Sequence, residues 1–256
     1  AGLPSPVGAY ALAAQRHMHQ FGSNNETFAE IAVSARKWAT LNPNAYKKDP
    51  LTINEVLNSK PICTPLSKLD CCLVTDGAAA IVMTRSDKAK DTKNTPIYLL
   101  GAAMEHHHRM ISEMPNFTST SAKDSGKRAF EMAGYKCSDM DTVQLYDAFT
   151  INTILFLEDL GFCKKGEGKD LINEIIPGGS LPVNTNGGGL SRVHPGMYGL
   201  FVTLEALRQL RNSAGDNVGD RKDGGWIENA KISLAHGNGG VLSSQVTNIW
   251  GLEETI

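Results

Sequence analysis

Gly-Gly-Gly-Leu-Ser-Arg-Val-His-Pro-Gly-Met-Tyr-Gly, residues 187–199, runs directly into an amphipathic helical pattern. Leu200, Leu204, Leu207 and Arg211 keep helical spacing there, and Phe201 and Leu210 widen the apolar stripe. Glycines permit close approach of backbone or ligand, and a helix start leaves N–H groups unpaired. His194 therefore stands at a loop-to-helix junction, where the helix dipole disfavours an imidazolium. A neutral imidazole in such a place is suited to act as a base, or as a donor into an oxyanion hole. The competing reading is a helix-start histidine satisfied by backbone.

Outward from this motif, strand and helix patterns alternate. Upstream, Val143–Tyr146 reads as a short strand, and Ile151, Ile154, Leu155 and Glu158 keep helical spacing up to Leu160-Gly161. A helix over Ser125–Ala133 is closed by Gly134. Ile97–Gly101 is a further strand behind a polar linker over Lys88–Thr95, and Ile232–Ala235 and Val241–Ile249 read as terminal strands. The apolar run Ala78–Met83, entered through Cys72-Leu73-Val74 and Asp76-Gly77, predicts another, buried strand. The first part of the chain is helical instead. Tyr10–Phe21 stops at Gly22, a Ser23/Glu26 capping box opens a helix through Ala39 that Asn42-Pro43 ends, and Thr52 with Glu55 caps a short helix around Glu55–Asn58. Strands alternating with helices place the chain in the α/β class.

Composition narrows the function. A chain of 256 residues, 41% hydrophobic and 20% charged, is ordinary for a globular protein with one large domain or two smaller ones. A net charge of -2 supplies no field for nucleic acid, and no segment nears the roughly 18 apolar residues of a membrane span. Cys63, Cys71, Cys72, Cys137 and Cys163 are odd in number and lack metal-ligand spacing, which predicts reduced, mostly buried thiols and a cytoplasmic setting. No charged-apolar leader opens the sequence.

Other segments carry polar groups whose roles the residues alone leave open. His236 follows Ile232-Ser233-Leu234-Ala235 and precedes Gly237-Asn238-Gly239-Gly240. The end of a buried strand is a common place for active-site groups, but Asn238-Gly239 would equally make the tip of a hairpin. Asp147 would face a site or cap the helix beginning near Thr150, and Tyr146 would donate to a carbonyl or pack as a core aromatic. His106-His107-His108 lacks a cysteine or carboxylate partner, so no metal site is expected. The glycine clusters match no nucleotide-phosphate motif.

Asp76-Gly77-Ala78-Ala79-Ala80, Tyr146-Asp147-Ala148-Phe149, Val193-His194-Pro195-Gly196 and Ala235-His236-Gly237-Asn238-Gly239-Gly240 follow one another in this order. With that order the sequence resembles the later part of the thiolase superfamily, most closely its sterol-carrier-protein-x and lipid-transfer-protein thiolase-like branch. The corresponding family segments are Asp-Gly-Ala-Ala, Asn-Glu-Ala-Phe, Gly-His-Pro and Cys-x-Gly-Gly-Gly. The likeness extends over nearly the whole chain, from Gly2-Leu3-Pro4 onward. It implies a fold of α-β-α-β-α layers made of two similar halves, here an incomplete first half plus a complete C-terminal half. Residues 1–58 would be a helical loop domain over the substrate, 59–90 the end of the N-terminal half, and 91–256 the C-terminal half.

Acyl-CoA chemistry is what the resemblance implies. In the family a cysteine of the first half takes the acyl group from coenzyme A, the His-Pro histidine activates that thiol, and a second cysteine moves a proton. The stretch bearing the first cysteine is not in this sequence, so the isolated chain is expected to be inactive, and none of the five cysteines takes its place. His236 stands for the second cysteine as a proton shuttle. By the same resemblance His194 is the activating base or oxyanion donor, Gly239 and Gly240 are backbone donors, and Asp147 lies beside the substrate. The leading expectation is an acyltransferase of lipid metabolism acting on acyl-CoA, with coenzyme A as co-substrate, no tightly bound cofactor and no metal. Tyr146, in place of an asparagine, and Tyr198 support a second: a thiolase-fold retro-aldolase cleaving β-hydroxyacyl-CoA with a small zinc-ribbon/OB-fold partner. A third is an inactive scaffold subunit that binds coenzyme A or lipid. A homodimer is expected.

Overall fold

Alanine-rich helices open the computed structural model, which describes residue 3, residues 6–196 and residues 198–256. Gly2 and Pro4, where the resemblance begins, and Met197 of the His-Pro motif lie outside the described residues. Helix α1 (Pro6–Phe21) buries Tyr10, Ala13, Ala14 and His17, and α2 (Asn25–Leu41) buries Phe28, Ile31, Ala35 and Trp38. The cap of α2 is not the expected Ser23/Glu26 box. Asn24 Oδ1 accepts the Thr27 N–H at 2.9 Å, and Thr27 Oγ1 accepts the Asn24 N–H at 3.4 Å. Ser23 is taken up by tertiary structure instead, its hydroxyl 2.7 Å from Nδ1 of the buried His17. The Thr52/Glu55 box does cap α3 (Ile53–Leu57). A small hairpin, β1 (Pro61–Cys63) and β2 (Leu66–Ser67), follows.

The run Ala78–Met83 departs from expectation. It forms no strand, and Val82 within it is 93% exposed. An apolar run becomes a strand only where a neighbour takes up its N–H and C=O groups, and among the described residues none lies beside this one. A short helix α4 (Ser86–Ala89) ends the segment.

The core is a four-stranded sheet of β3 (Tyr98–His106), β4 (Thr142–Leu145), β5 (Ile232–Gly239) and β6 (Ser244–Gly251), in the order β3-β6-β5-β4. β6 pairs antiparallel with both neighbours, whereas β5 and β4 run parallel. On one face lie α5 (Ala122–Ala133) and α6 (Thr150–Asp159), with Leu234 and Ile249 packed in the cluster that holds Ile151 and Ile154. On the other lies α7 (Gly199–Ser213), whose Phe201 and Leu210 share a second cluster with Ala235 and Trp250. Strand residues alternate between faces, so Leu234, His236 and Asn238 belong to the α6 side. β5 runs past the expected end at Ala235, and the reversal occurs at Gly240–Ser243 rather than at Asn238-Gly239. His106 ends β3 against the Ser244 hydroxyl at 2.7 Å, and His107 pairs with Asp124 at 3.0 Å. The five cysteines are all unpaired and half-buried, less enclosed than their apolar neighbours suggested.

Candidate functional site

Residues 188–192 wind into one turn of π-helix, opened by Gly187 at φ 101° and Gly188 at φ 62°. Side chains rarely adopt that backbone, and space forbids them as well. A Cβ on Gly188 would overlap the Asp147 carboxylate, and one on Gly189 would stand 2.7 Å from Cδ2 of His194. Asp147 is the reason for this closeness. Its carboxylate accepts the N–H groups of Gly189 at 2.6 Å and Leu190 at 3.3 Å. Burial raises its pKa to about 7, while those two bonds pull the other way. Asp147 thus neither caps α6, whose N-cap is Phe149, nor lines the cavity below; it holds the loop that carries His194.

The loop delivers His194 to the wall of a largely apolar cavity of about 1170 Å³. Tyr146, at the end of β4, and Tyr198, at the start of α7, complete an aromatic cluster with it. The His194 ring stacks on Tyr198 at 5.0 Å between centroids and meets the edge of Tyr146 at 5.4 Å; the two tyrosines are 5.4 Å apart. His194 Nε2 is buried without a hydrogen-bond partner, and burial lowers the pKa of the ring, keeping it neutral. Burial pushes Tyr146 up to about 12, against the opposing bond from the Tyr198 N–H, and drives Tyr198 well above 10. At neutral pH the cluster therefore holds one free imidazole nitrogen and two protonated phenols. Cys72 also lines the cavity, but burial pushes its thiol up to about 12, which disfavours a thiolate.

His236 requires a correction. It is fully buried on the α6 face, 4.5 Å from the Phe156 ring, and is not part of the cavity wall. Nδ1 lies 2.9 Å from Thr247 Oγ1, and Nε2 lies 2.9 Å from Gln245 Oε1. Burial lowers its pKa to about 4. With both nitrogens engaged and no access to the cavity, His236 cannot pass a proton to a ligand there. Depth along the strand explains the difference: Asn238, two residues nearer the end of β5 on the same face, reaches the cavity, whereas His236 is held deeper against Phe156. Gly239 and Gly240 do line the cavity, Gly239 within the ladder opposite Ser244 and Gly240 at φ 57° in the turn.

Two further cavity residues escaped the sequence reading. Tyr10 on α1 packs on Phe149 at 4.5 Å, and its hydroxyl accepts the Asn238 amide at 2.8 Å. The available signal was Asn238 itself, a polar residue inside a strand rather than at a turn.

Residues 103–252 match the family model described as thiolase C-terminal domain-like. The chain belongs to the thiolase superfamily. It is 34% identical over 245 residues to an acetyl-CoA acetyltransferase of Methanothermobacter thermautotrophicus, covering 94% of this chain and 62% of the relative. A 17-hydroxy-3-oxo-4-pregnene-20-carboxyl-CoA lyase of Mycobacterium tuberculosis is 38% identical over 223 residues, covering 83% of this chain and 57% of the relative. Sterol carrier protein 2 of Gallus gallus is 33% identical over 224 residues, covering 84% and 41% respectively. Among solved structures, the Ltp2-ChsH2(DUF35) aldolase superposes with a TM-score of 0.86 at 29% identity, over 100% of this chain and 65% of that one. This thiolase-like chain therefore spans less than two thirds of the length of each of these relatives. Its four-stranded mixed sheet between helices is the thiolase-like arrangement, and the relatives include both acyltransferases and carbon–carbon lyases. No helix among the described residues is long and apolar enough to cross a membrane.

Proposed function

We propose that this protein cleaves a carbon–carbon bond in acyl-CoA thioesters, as a retro-aldolase on β-hydroxyacyl-CoA. The observation that carries the reading is the unpartnered Nε2 of His194 between two tyrosines that keep their protons. In this mechanism Nε2 accepts the proton of the β-hydroxyl as general base. The oxygen's electrons form the carbonyl of the released aldehyde or ketone, and the Cα–Cβ pair passes into the thioester as an enolate. Tyr146 and Tyr198 donate O–H to the enolate oxygen, and the imidazolium returns its proton to Cα, leaving a shorter acyl-CoA. Coenzyme A enters only as part of the substrate, not as a resident cofactor.

Acyl transfer is the second reading, favoured by identity to the acetyl-CoA acetyltransferase. It needs a thiolate that His194 would activate, and Cys72 is held in the thiol form. Incubation with radiolabelled β-hydroxyacyl-CoA and acyl-CoA separates the two. Cleavage without label on cysteine supports the retro-aldolase; a stable acyl-cysteine overturns it in favour of transfer, and neither outcome would leave a silent scaffold. Included in the proposal are a homodimer and a small zinc-ribbon/OB-fold partner, the latter supported by the solved complex named Ltp2-ChsH2(DUF35) aldolase. Residues 1–58 cover the substrate in this reading, consistent with Pro6, Val7 and Tyr10 in the cavity wall. Five unpaired thiols suit a reducing, cytoplasmic setting.

A further inference from the structure

The cavity has a second polar corner, at Tyr10 and Asn238, and it is wired into the interior of the sheet. Thr247 Oγ1 lies 2.9 Å from Ser125 Oγ and 2.9 Å from His236 Nδ1. His236 Nε2 faces Gln245 Oε1 at 2.9 Å, the Gln245 amide donates to Asn238 Oδ1 at 2.8 Å, and the Asn238 amide donates to the Tyr10 hydroxyl at 2.8 Å. The chain has one direction. Gln245 presents a carbonyl oxygen, so the single proton of the neutral imidazole sits on Nε2, and Nδ1 accepts from Thr247. Every link then donates toward the cavity. Amide groups at two links do not relay protons, so the chain orients a hydroxyl rather than moving charge.

Its last member is Tyr10, whose oxygen accepts from Asn238 and whose proton is not used within the chain. The hydroxyl donates to the Gly240 carbonyl at 3.4 Å, a weak bond that a ligand oxygen can replace. We propose that Tyr10 is a specificity-determining residue: its O–H, oriented by the Asn238–Gln245–His236–Thr247 chain, donates to an oxygen on the acyl portion of the bound thioester. The proposal deepens the reading of this cavity as an acyl-CoA site and rests on it. Burial holds the Tyr10 phenol up to about 12, so it stays a donor across the working pH range. His236 becomes a positioning residue, which accounts for its burial and its two engaged nitrogens.

Acetoacetyl-CoA and butyryl-CoA differ by one carbonyl oxygen at equal chain length, and calorimetric titration of the whole protein with each tests the assignment. The wild-type protein should bind the oxygenated probe more tightly, and Tyr10→Phe should erase roughly 3- to 10-fold of that preference while leaving butyryl-CoA affinity unchanged. Gln245→Met breaks the chain with little change of volume. It should lose the same preference, and the double variant should lose no more than either single one, a non-additivity that simple destabilisation does not produce. Full preference in Tyr10→Phe overturns the role of Tyr10 while the cavity reading stands. Additive losses overturn the orienting chain, and failure of wild-type protein to bind either thioester overturns both proposals.

Discussion

At the scale of single residues, the imidazole of His194 is set apart by what it lacks. Nε2 has no partner although it is buried, which is costly unless a ligand completes it. If the proposed reading holds, His194→Ala should lower the rate of β-hydroxyacyl-CoA cleavage by about 10²-fold or more with an unchanged thermal melt. A rate within threefold of wild type would remove the base assignment. Gly188 carries a different burden, support of the loop. Its φ of 62° and the Asp147 carboxylate against its Cα both exclude a side chain. Gly188→Ala should cost about 2–4 kcal/mol, read as a lower urea midpoint, and should reduce activity only through misplacement of His194.

At the scale of elements, α7 is anchored by a buried ion pair as well as by its apolar stripe. Glu205 and Arg221 meet at 2.6 Å, both about 1% exposed at the side chain, and the Arg221 guanidinium lies 3.9 Å from the Trp226 ring centroid. Glu205 also accepts from Thr185 Oγ1 at 2.6 Å and from Gln209 at 3.0 Å. Burial alone would raise its pKa; the arginine and these bonds outweigh it and bring the carboxyl down to about 2. Removing Arg221 strands a buried carboxylate, so Arg221→Leu should cost about 3–5 kcal/mol in chemical denaturation. Glu205→Gln with Arg221→Leu together should recover part of that loss, because neither charge then remains buried alone. If the double variant is no more stable than Arg221→Leu, the ion pair is not what holds the 214–231 segment on α7.

At the scale of the whole molecule, two buried groups in different parts of the fold oppose each other in pH. His236 has its pKa lowered from 6.5 to about 4, so its contribution is present above pH 6.5 and is lost as pH falls through 4. Asp147 has its pKa raised from 3.8 to about 7, so its contribution is present below pH 3.8 and is lost as pH rises through 7. Each is worth about 3–5 kcal/mol and the windows overlap, so between pH 4 and 6.5 these two contributions should largely offset each other in the wild-type protein. His236→Asn should expose the Asp147 slope, with stability falling as pH rises; Asp147→Asn should expose the opposite one. Thermal melts across that range check the signs, and parallel profiles for wild type and both variants would contradict them.

Local patterns in the sequence were enough for the helices other than α4 and for the approximate places of the core strands. The spacing of Ile151, Ile154 and Leu155, the Thr52/Glu55 box and the His-Pro junction all depend on neighbours a few residues away, and each stands where it was expected. Only tertiary structure decided the rest. Whether His236 or Asn238 reaches the cavity depends on how far along β5 the elements on that face pack, and a period of two carries no such label. Asp147 finds its partners at Gly189 and Leu190, and Tyr10 finds Asn238 across 228 positions. Ala78–Met83 has the composition of a buried strand, yet it stays open because a strand is made by the chain lying next to it.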